Sequence, residues 1–590
     1  MATQGDSFPA MQQEMLRKRL PFVVAALVVI SVGLITRMVL FQSPPDSRVT
    51  AYVQAVRDAN YSSTQRQTSA RGIIYDRTGQ RLAVNALQYR VGISANLVAD
   101  PDLMVQQLST ILGLDPRTVN DIVRSGVPYE LLATNVEPGV FQELVALDSV
   151  AIVAEQIPRR YYPQGPLAGP LIGFVAGSGD GFVGYNGIEG FYEGELAGRT
   201  RQAEISNIPF DVPAMDDAPE KGADLVLTID RDIQYLVEEA LAAAIAETGA
   251  DAGDIIVMDP NTGDVLAMAS FPTFDPNNIP LDDAKLLRNP TISDLYEPGS
   301  VMKVITMAAA LQDGAITPDW VYNDEGSYIV GGEEILNWDQ RAHGVVDAET
   351  VLVESLNIGA AKIAVEELGR NNFYNMLGAF GFGSRTRIDL QGEQTGRVRI
   401  PGDSEWSESD LGTNSFGQGM SVTPLQMLNA YNVIANGGLL LQPRVVRQVI
   451  RGNLVTTVDP IVIRRVISQE VADQVTSMMV AAVDRGLDDL ARVEGYTVAG
   501  KTGTAEIPSP VGYVSGATIV TFIGFLPADA PQVSILVKLD RPKTNNFASQ
   551  TAAPVFKRLA EKLVTYLEIP TDADRILLAQ QGGRVGGARP

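Results

Sequence analysis

The chain has 590 residues, too many for one ordinary core, so two or three domains plus accessory segments are expected. With 46 Lys+Arg against 70 Asp+Glu, the formal charge of −24 disfavours nucleic acid and anionic lipid as partners. Cysteine is absent and His343 is the single histidine, which excludes disulfides, thiolate nucleophiles and multi-histidine metal sites.

Residues 1–19 end in the basic cluster Arg17-Lys18-Arg19. An apolar run follows over residues 20–41, from Leu20 to Phe41, interrupted by Thr36 and Arg37 near its far end. At about 1.5 Å per residue it spans a hydrocarbon core of roughly 30 Å. The cluster before it keeps the N-terminus in the cytoplasm by the positive-inside rule. The run is too long for a signal peptide and leads into Phe41-Gln42-Ser43-Pro44-Pro45, which has no small-x-small cleavage site. A single-pass membrane anchor with an extracytoplasmic remainder is therefore expected. An outside location lacks ATP, which argues against kinase or ATPase chemistry.

Residues 42–70 are polar and mixed, and read as a juxtamembrane helix and linker. From Arg71 the texture changes to short strands with turn signals, then to a Gly-rich and aromatic-rich stretch between Tyr161 and Gly198. Residues 71–222 are read as an irregular α+β module. A second domain, 223–570, opens on the strand Leu225–Asp230 and a helix from about Asp232 to Glu247. Asp254–Asp259 and Asp264–Ala269 flank Pro260-Asn261-Thr262-Gly263, a hairpin with turn residues at its tip. A helical middle is expected from Asp294 to Gly437. Strands return at Thr497–Glu506, Thr518–Leu526 and Val533–Leu539, followed by a helix from Ser549 to Leu567. One antiparallel sheet with helices on both sides and a helical lobe is the simplest assembly. Residues 571–590 read as a disordered tail.

Three short motifs lie in this second domain. Ser300-Val301-Met302-Lys303 follows Glu297-Pro298-Gly299 and opens an almost wholly apolar helix. Ser300 sits in the first turn, where free amides favour negative charge, and Lys303 shares its face. A lysine in apolar surroundings loses proton affinity and can serve as a base toward the serine. The bland alternative is an N-cap serine with a snorkelling lysine, but this helix offers no polar face. Ser355-Leu356-Asn357 is weak by itself, since Ser94-Ala95-Asn96 repeats the pattern. A hydroxyl there could relay a proton and an amide could orient substrate. Lys501-Thr502-Gly503-Thr504 lies on an edge strand, where a lysine and two hydroxyls can clamp a carboxylate and Gly503 leaves room for a substrate backbone. Otherwise it is an exposed strand cation among β-favouring threonines.

In order and together, S-x-x-K, S-x-N and K-T-G resemble the signature of penicillin-binding proteins and class A β-lactamases. The chain is similar to a class B penicillin-binding protein, a membrane-anchored D,D-transpeptidase that crosslinks peptidoglycan. Arg71-Gly72 with Asp76-Arg77, Tyr162-Pro163, Gly187-Ile188-Glu189 and Phe416-Gly417-Gln418-Gly419 with Thr423-Pro424-Leu425-Gln426 extend the likeness. The resemblance implies an α+β fold: a β-lactamase-like transpeptidase domain preceded by a pedestal (dimerisation-type) domain and one transmembrane helix.

It also implies roles. Ser300 would attack the D-Ala-D-Ala carbonyl of a stem peptide, with Lys303 as its base. Ser355 would pass the proton to the departing D-alanine, and Asn357 would position substrate and Lys303. Lys501, Thr502, Gly503 and Thr504 would bind the terminal carboxylate, and the amides of Ser300 and Thr504 would form the oxyanion hole. No metal or other cofactor is needed. β-Lactams are implied ligands, and a polytopic membrane glycan polymerase is the implied partner of the pedestal and transmembrane helix. His343 is expected to be structural or gating. The same motifs would also serve a D,D-carboxypeptidase, a β-lactamase or a non-catalytic penicillin-binding scaffold or sensor. The long pedestal, the unmarked acids near Ser355 and the intact motif set weigh against these in turn.

Overall fold

The computed structural model describes residues 10–42, 62–67, 70–177, 182–198, 201–206, 220–486, 488–509 and 512–580. They divide into two units, Met1–Ser69 with Arg199–Glu220, and Ala70–Gly198 with Lys221–Pro590. The first unit holds the helix Ala10–Gln42. Its 21-residue stretch Arg19–Val39 is the one helix among the described residues long and apolar enough to cross a membrane. Within the expected linker, Ser62–Gln67 is a strand paired antiparallel with Arg201–Ser206, and the rest of 43–69 lies outside the described residues.

In the second unit, residues 70–198 share a seven-stranded sheet with segments from much later in the chain. Ile74–Tyr75 runs parallel to Asp224–Leu227, which in turn pairs with Val446–Arg451. The strand at Leu225 was expected to open the sheet of the second domain; it belongs to this other sheet instead. Close backbone approach enforces the junction, since a Cβ on Gly72 would lie 1.7 Å from the Ala223 carbonyl oxygen. Buried charges reinforce it. Glu189 accepts from Arg71 Nε at 2.7 Å and from Arg160 Nε at 2.6 Å. Asp76 accepts from the Arg231 amide at 3.1 Å. The motif residues of the N-terminal module are thus bonded to one another and to the start of the next helix.

The sheet that carries the site has five antiparallel strands: β1 (Ala252–Met258), β2 (Val265–Phe271), β3 (Ala499–Ser509), β4 (Gly512–Leu526) and β5 (Val533–Asp540), in the order β2-β1-β5-β4-β3. Alternate residues of these strands feed two apolar cores, as the period of two requires. Ile255, Val257, Val520, Phe522 and Val537 pack with helix α1 (Arg231–Thr248) on one face. Ile256, Met258, Ile523, Phe525 and Leu536 meet the opposite core, with α2 (Met302–Asp313) at its centre. Every residue of α2 from Met302 to Leu311 is buried, which explains its lack of a polar face.

The segment read as a helical middle also contains four short strands. Val321–Asp324 pairs with Gly344–Asp347, and Ser327–Val330 with Glu333–Leu336. Four later helices matter for the site: α3 (Ala348–Val353), α4 (Asn357–Lys362), α5 (Pro424–Ala435) and α6 (Gln469–Arg485). Helix α7 (Ala552–Tyr566) covers the first core beside α1.

The expected disordered tail is corrected over its first part, where α8 spans Asp572–Gln580. Arg575 is buried and pairs with Asp572 and Asp529, while Asp572 accepts from the Thr497 amide at 2.7 Å. Composition alone hides such a docking, because the burial is provided by ion pairs and not by an apolar stripe. Residues 581–590 lie outside the described residues.

Candidate active site

Ser300 stands in the tight turn Gly299–Val301 that feeds into α2. Gly299 has φ +62° and Gly417 φ +83°, and a Cβ on Gly417 would lie 2.3 Å from the Gly299 carbonyl oxygen. The Phe416–Gly419 segment therefore has to be glycine where it passes beneath the serine turn. The Gly299 amide donates to Gly417 O at 3.1 Å, and Tyr431 of α5 donates its hydroxyl to Val301 O at 2.8 Å. These contacts fix the turn from below. Ser300 itself is half-buried.

One turn further on, Lys303 is 1 % exposed. Its ammonium nitrogen donates to the Ser355 backbone oxygen and lies 3.2 Å from Ser355 Oγ. Ser355 occupies the bend between α3 and α4 with φ +56°, a left-handed conformation rare for a serine. That turn presents carbonyl and hydroxyl together to the lysine. Burial pulls the Lys303 proton affinity well below the ordinary lysine range; the neighbouring Lys501 ammonium lowers it further and Asp488 partly offsets both.

Asn357 opens α4, half-buried, and donates Nδ2 to Leu336 O at 2.9 Å. It ties the helix to a neighbouring strand, where a contact with Lys303 was expected. His343 contacts Asp339 at 3.2 Å within its own loop and makes no bond to the motif residues.

The third motif lies on β3, the sheet edge, as expected. Two of its side chains are differently engaged. Lys501 is 0 % exposed and pairs with Asp488 at 3.2 Å; Thr502 donates its hydroxyl to the same carboxylate at 2.5 Å. Neither side chain stands free in the groove. Gly503 makes room for protein, not for substrate: a Cβ there would lie 2.8 Å from Pro298 O and 3.0 Å from Val301 Cγ1. The edge strand is thereby pressed against the serine turn. Thr504 stays half-buried beside it, and a Cβ on Gly299 would lie 3.0 Å from Thr504 O. The Thr502 amide donates to Asp488 at 3.3 Å, so it points away from β4 toward the open edge. Strand alternation turns the Thr504 amide to that same side, where Ser300 lies.

Asp488 was not singled out from sequence. It precedes Lys501 by thirteen residues in an unremarkable turn after α6. No signal in the sequence marked it, because its partner Lys501 lies on an edge strand, where burial is not required.

Beside the serine turn a cleft of about 370 Å³ is lined by Tyr296, Glu297, Arg397, Arg399, Ile507 and Ile519. Glu297 accepts from the Gly419 amide at 3.1 Å and from Tyr513 at 3.0 Å. Burial raises its carboxyl above the usual range.

The serine turn, Ser355 and the edge strand β3 thus meet on one sheet backed by helices, the arrangement that the family comparisons assign to a transpeptidase domain. The family model described as penicillin binding protein transpeptidase domain matches residues 253–561, and the penicillin-binding protein dimerisation domain matches 66–208. The chain is 32 % identical over 554 residues to stage V sporulation protein D of Bacillus subtilis, covering 91 % of this chain and 84 % of that protein. It is 29 % identical to peptidoglycan D,D-transpeptidase FtsI of Escherichia coli, covering 86 % of each. Among solved structures it resembles penicillin-binding protein 3 of Mycobacterium tuberculosis in complex with aztreonam, with a TM-score of 0.68 and 29 % identity. That match covers 86 % of this chain and 98 % of the other. The chain belongs to the class B penicillin-binding proteins.

Proposed function

We propose that this protein is a peptidoglycan D,D-transpeptidase working through an acyl-serine on Ser300. The observation that carries the reading is Lys303: fully buried, bonded to Ser355 and one helical turn from Ser300. Its free amine takes the Ser300 proton as Oγ attacks the penultimate D-alanine carbonyl of a stem peptide. The amides of Ser300 and Thr504 receive the oxyanion. Ser355 Oγ, 3.2 Å from Lys303 Nζ, relays the proton to the leaving D-alanine nitrogen. The C–N bond breaks, leaving the ester; an amine of a second stem peptide then attacks it, forms the new amide and returns the proton to Ser300. Thr504 meets the terminal carboxylate, with the Lys501 charge and Thr502 behind it, and Asn357 borders the groove. A β-lactam enters the same first half-reaction and stops at the ester.

The decisive assay offers a pentapeptide donor and an amine-bearing acceptor peptide and separates products by mass. A crosslinked dimer with one D-alanine released per bond is expected. Tetrapeptide alone, formed by water attack, would instead make the protein a carboxypeptidase.

We further infer that residues 1–19 face the cytoplasm, residues 20–41 anchor the chain and the site lies outside, from Arg17-Lys18-Arg19 before the apolar helix. The exposed valines Val145, Val150 and Val153 on residues 71–222 offer apolar surface for docking by a membrane glycan polymerase. Because the chain has no cysteine, single-cysteine variants report both cleanly. Ser7→Cys should be labelled only after the membrane is breached. Val150→Cys should be labelled from outside and protected when the polymerase is co-expressed. The reverse labelling, or no protection, would sink the corresponding inference.

A further inference from the structure

Two lysines and one carboxylate are buried together behind the groove. Lys303, Lys501 and Asp488 are 1 %, 0 % and 0 % exposed, and they come from α2, β3 and the turn after α6. Taking several unbalanced charges out of water is costly, so such a cluster is most stable with one positive and one negative charge. Which lysine carries the proton is then decided by geometry. Asp488 touches Lys501 at 3.2 Å and also accepts from the Thr502 hydroxyl at 2.5 Å and the Thr502 amide at 3.3 Å. Lys303 has no carboxylate contact; its partners are the neutral oxygens of Ser355. The other titratable group facing Asp488 is the Tyr431 phenol on α5, kept protonated by burial and by that carboxylate, with Tyr296 beyond it.

We propose that Asp488 is a positioning residue for the acyl transfer: its carboxylate holds Lys501 behind the edge strand and, committed to β3, does not reach Lys303, which stays the uncharged amine that can accept the Ser300 proton. The proposal rests on the Ser300–Lys303 reading above. It explains why two lysines so similarly buried take different parts. Lys501, paired with Asp488, stands behind the carboxylate-binding edge of β3, and Lys303 contributes basicity. It also explains why Asp488 grips both Lys501 and the neighbouring threonine: three bonds hold the acid on β3 and keep it from turning to Lys303. The direction of the effects on Lys303, lowered by Lys501 and raised by Asp488, agrees with the contacts.

The test is the pH profile of Ser300 acylation by a fluorescent penicillin, followed in full-length protein by intact mass and peptide mapping. In Asp488→Asn both limbs of the profile should move to more acid pH, with the rate at pH 8 falling about 10- to 100-fold, less than the roughly 10²–10⁴-fold carried by the base itself. Asp488→Glu should restore most of the profile. Lys501→Gln should move the acid limb the other way, toward higher pH, because Asp488 is then free to hold a proton on Lys303. This second variant keeps the proposal exposed if Asp488→Asn does not fold. An unchanged profile in either variant, with only a uniform loss of rate, would reduce Asp488 to a structural tie and overturn the proposal. Absence of a Ser300 adduct in the unmodified protein is a different failure, and would overturn the underlying reading of the site.

Discussion

Replacing Ser300 by alanine should abolish the covalent penicillin adduct and lower crosslinking by about 10⁴-fold or more, as removal of a catalytic nucleophile does elsewhere. The fold should survive. Ser300 is half-buried in a turn whose shape is set by Gly299, Gly417 and the Tyr431–Val301 hydrogen bond, none of which involves its hydroxyl. Intact mass of the treated variant, with the thermal midpoint measured alongside, checks both statements. An adduct persisting on another residue would mean that the groove is a binding site and that the nucleophile lies elsewhere.

Lys303→Met should have two opposite consequences. Acylation should fall by about 10²–10⁴-fold, the range for loss of a positioned base. Relative stability should improve, and most at low pH. The sign follows from linkage: Lys303 binds its proton less tightly in the folded protein than the ordinary lysine range of about 10.4 in the unfolded chain. Between those two values the unfolded chain holds the extra proton, so the folded state loses ground as pH falls. Methionine removes that penalty. The difference in thermal midpoint between variant and parent should therefore be more positive at pH 6 than at pH 9. A difference that does not change with pH would show Lys303 to be charged in the folded protein, and with it the base role would fail. The same titration gives the parent's acylation an acid limb, since rate is lost as Lys303 takes up its proton.

Much of this was legible from residue order. Ser300 and Lys303 lie one helical turn apart, so their shared face follows from local geometry, and the apolar length of α2 already required burial of the lysine. The strands of the second sheet were marked by apolar runs bounded by turn residues; the ends of β1, β2, β3 and β5 lie within about three residues of those expected, while β4 begins earlier, at Gly512. The membrane-length helix likewise depends on a single continuous stretch. The strand at Leu225 was found but given to the wrong sheet, because strand pairing is a long-range choice to which local pattern is blind.

Local pattern in the sequence placed the motif residues on their elements, since that depends on neighbours a few positions away, and the order of three distant motifs pointed to the class of chemistry. Tertiary structure decided the rest. It placed Ser355 in a left-handed bend that aims two oxygens at Lys303, turned Asn357 to Leu336, and filled the space at Gly503 with the serine turn. It also buried Lys501 against Asp488, an acid with no motif of its own. Protonation of a buried lysine depends on which charges surround it in space, and spacing along the chain does not specify that.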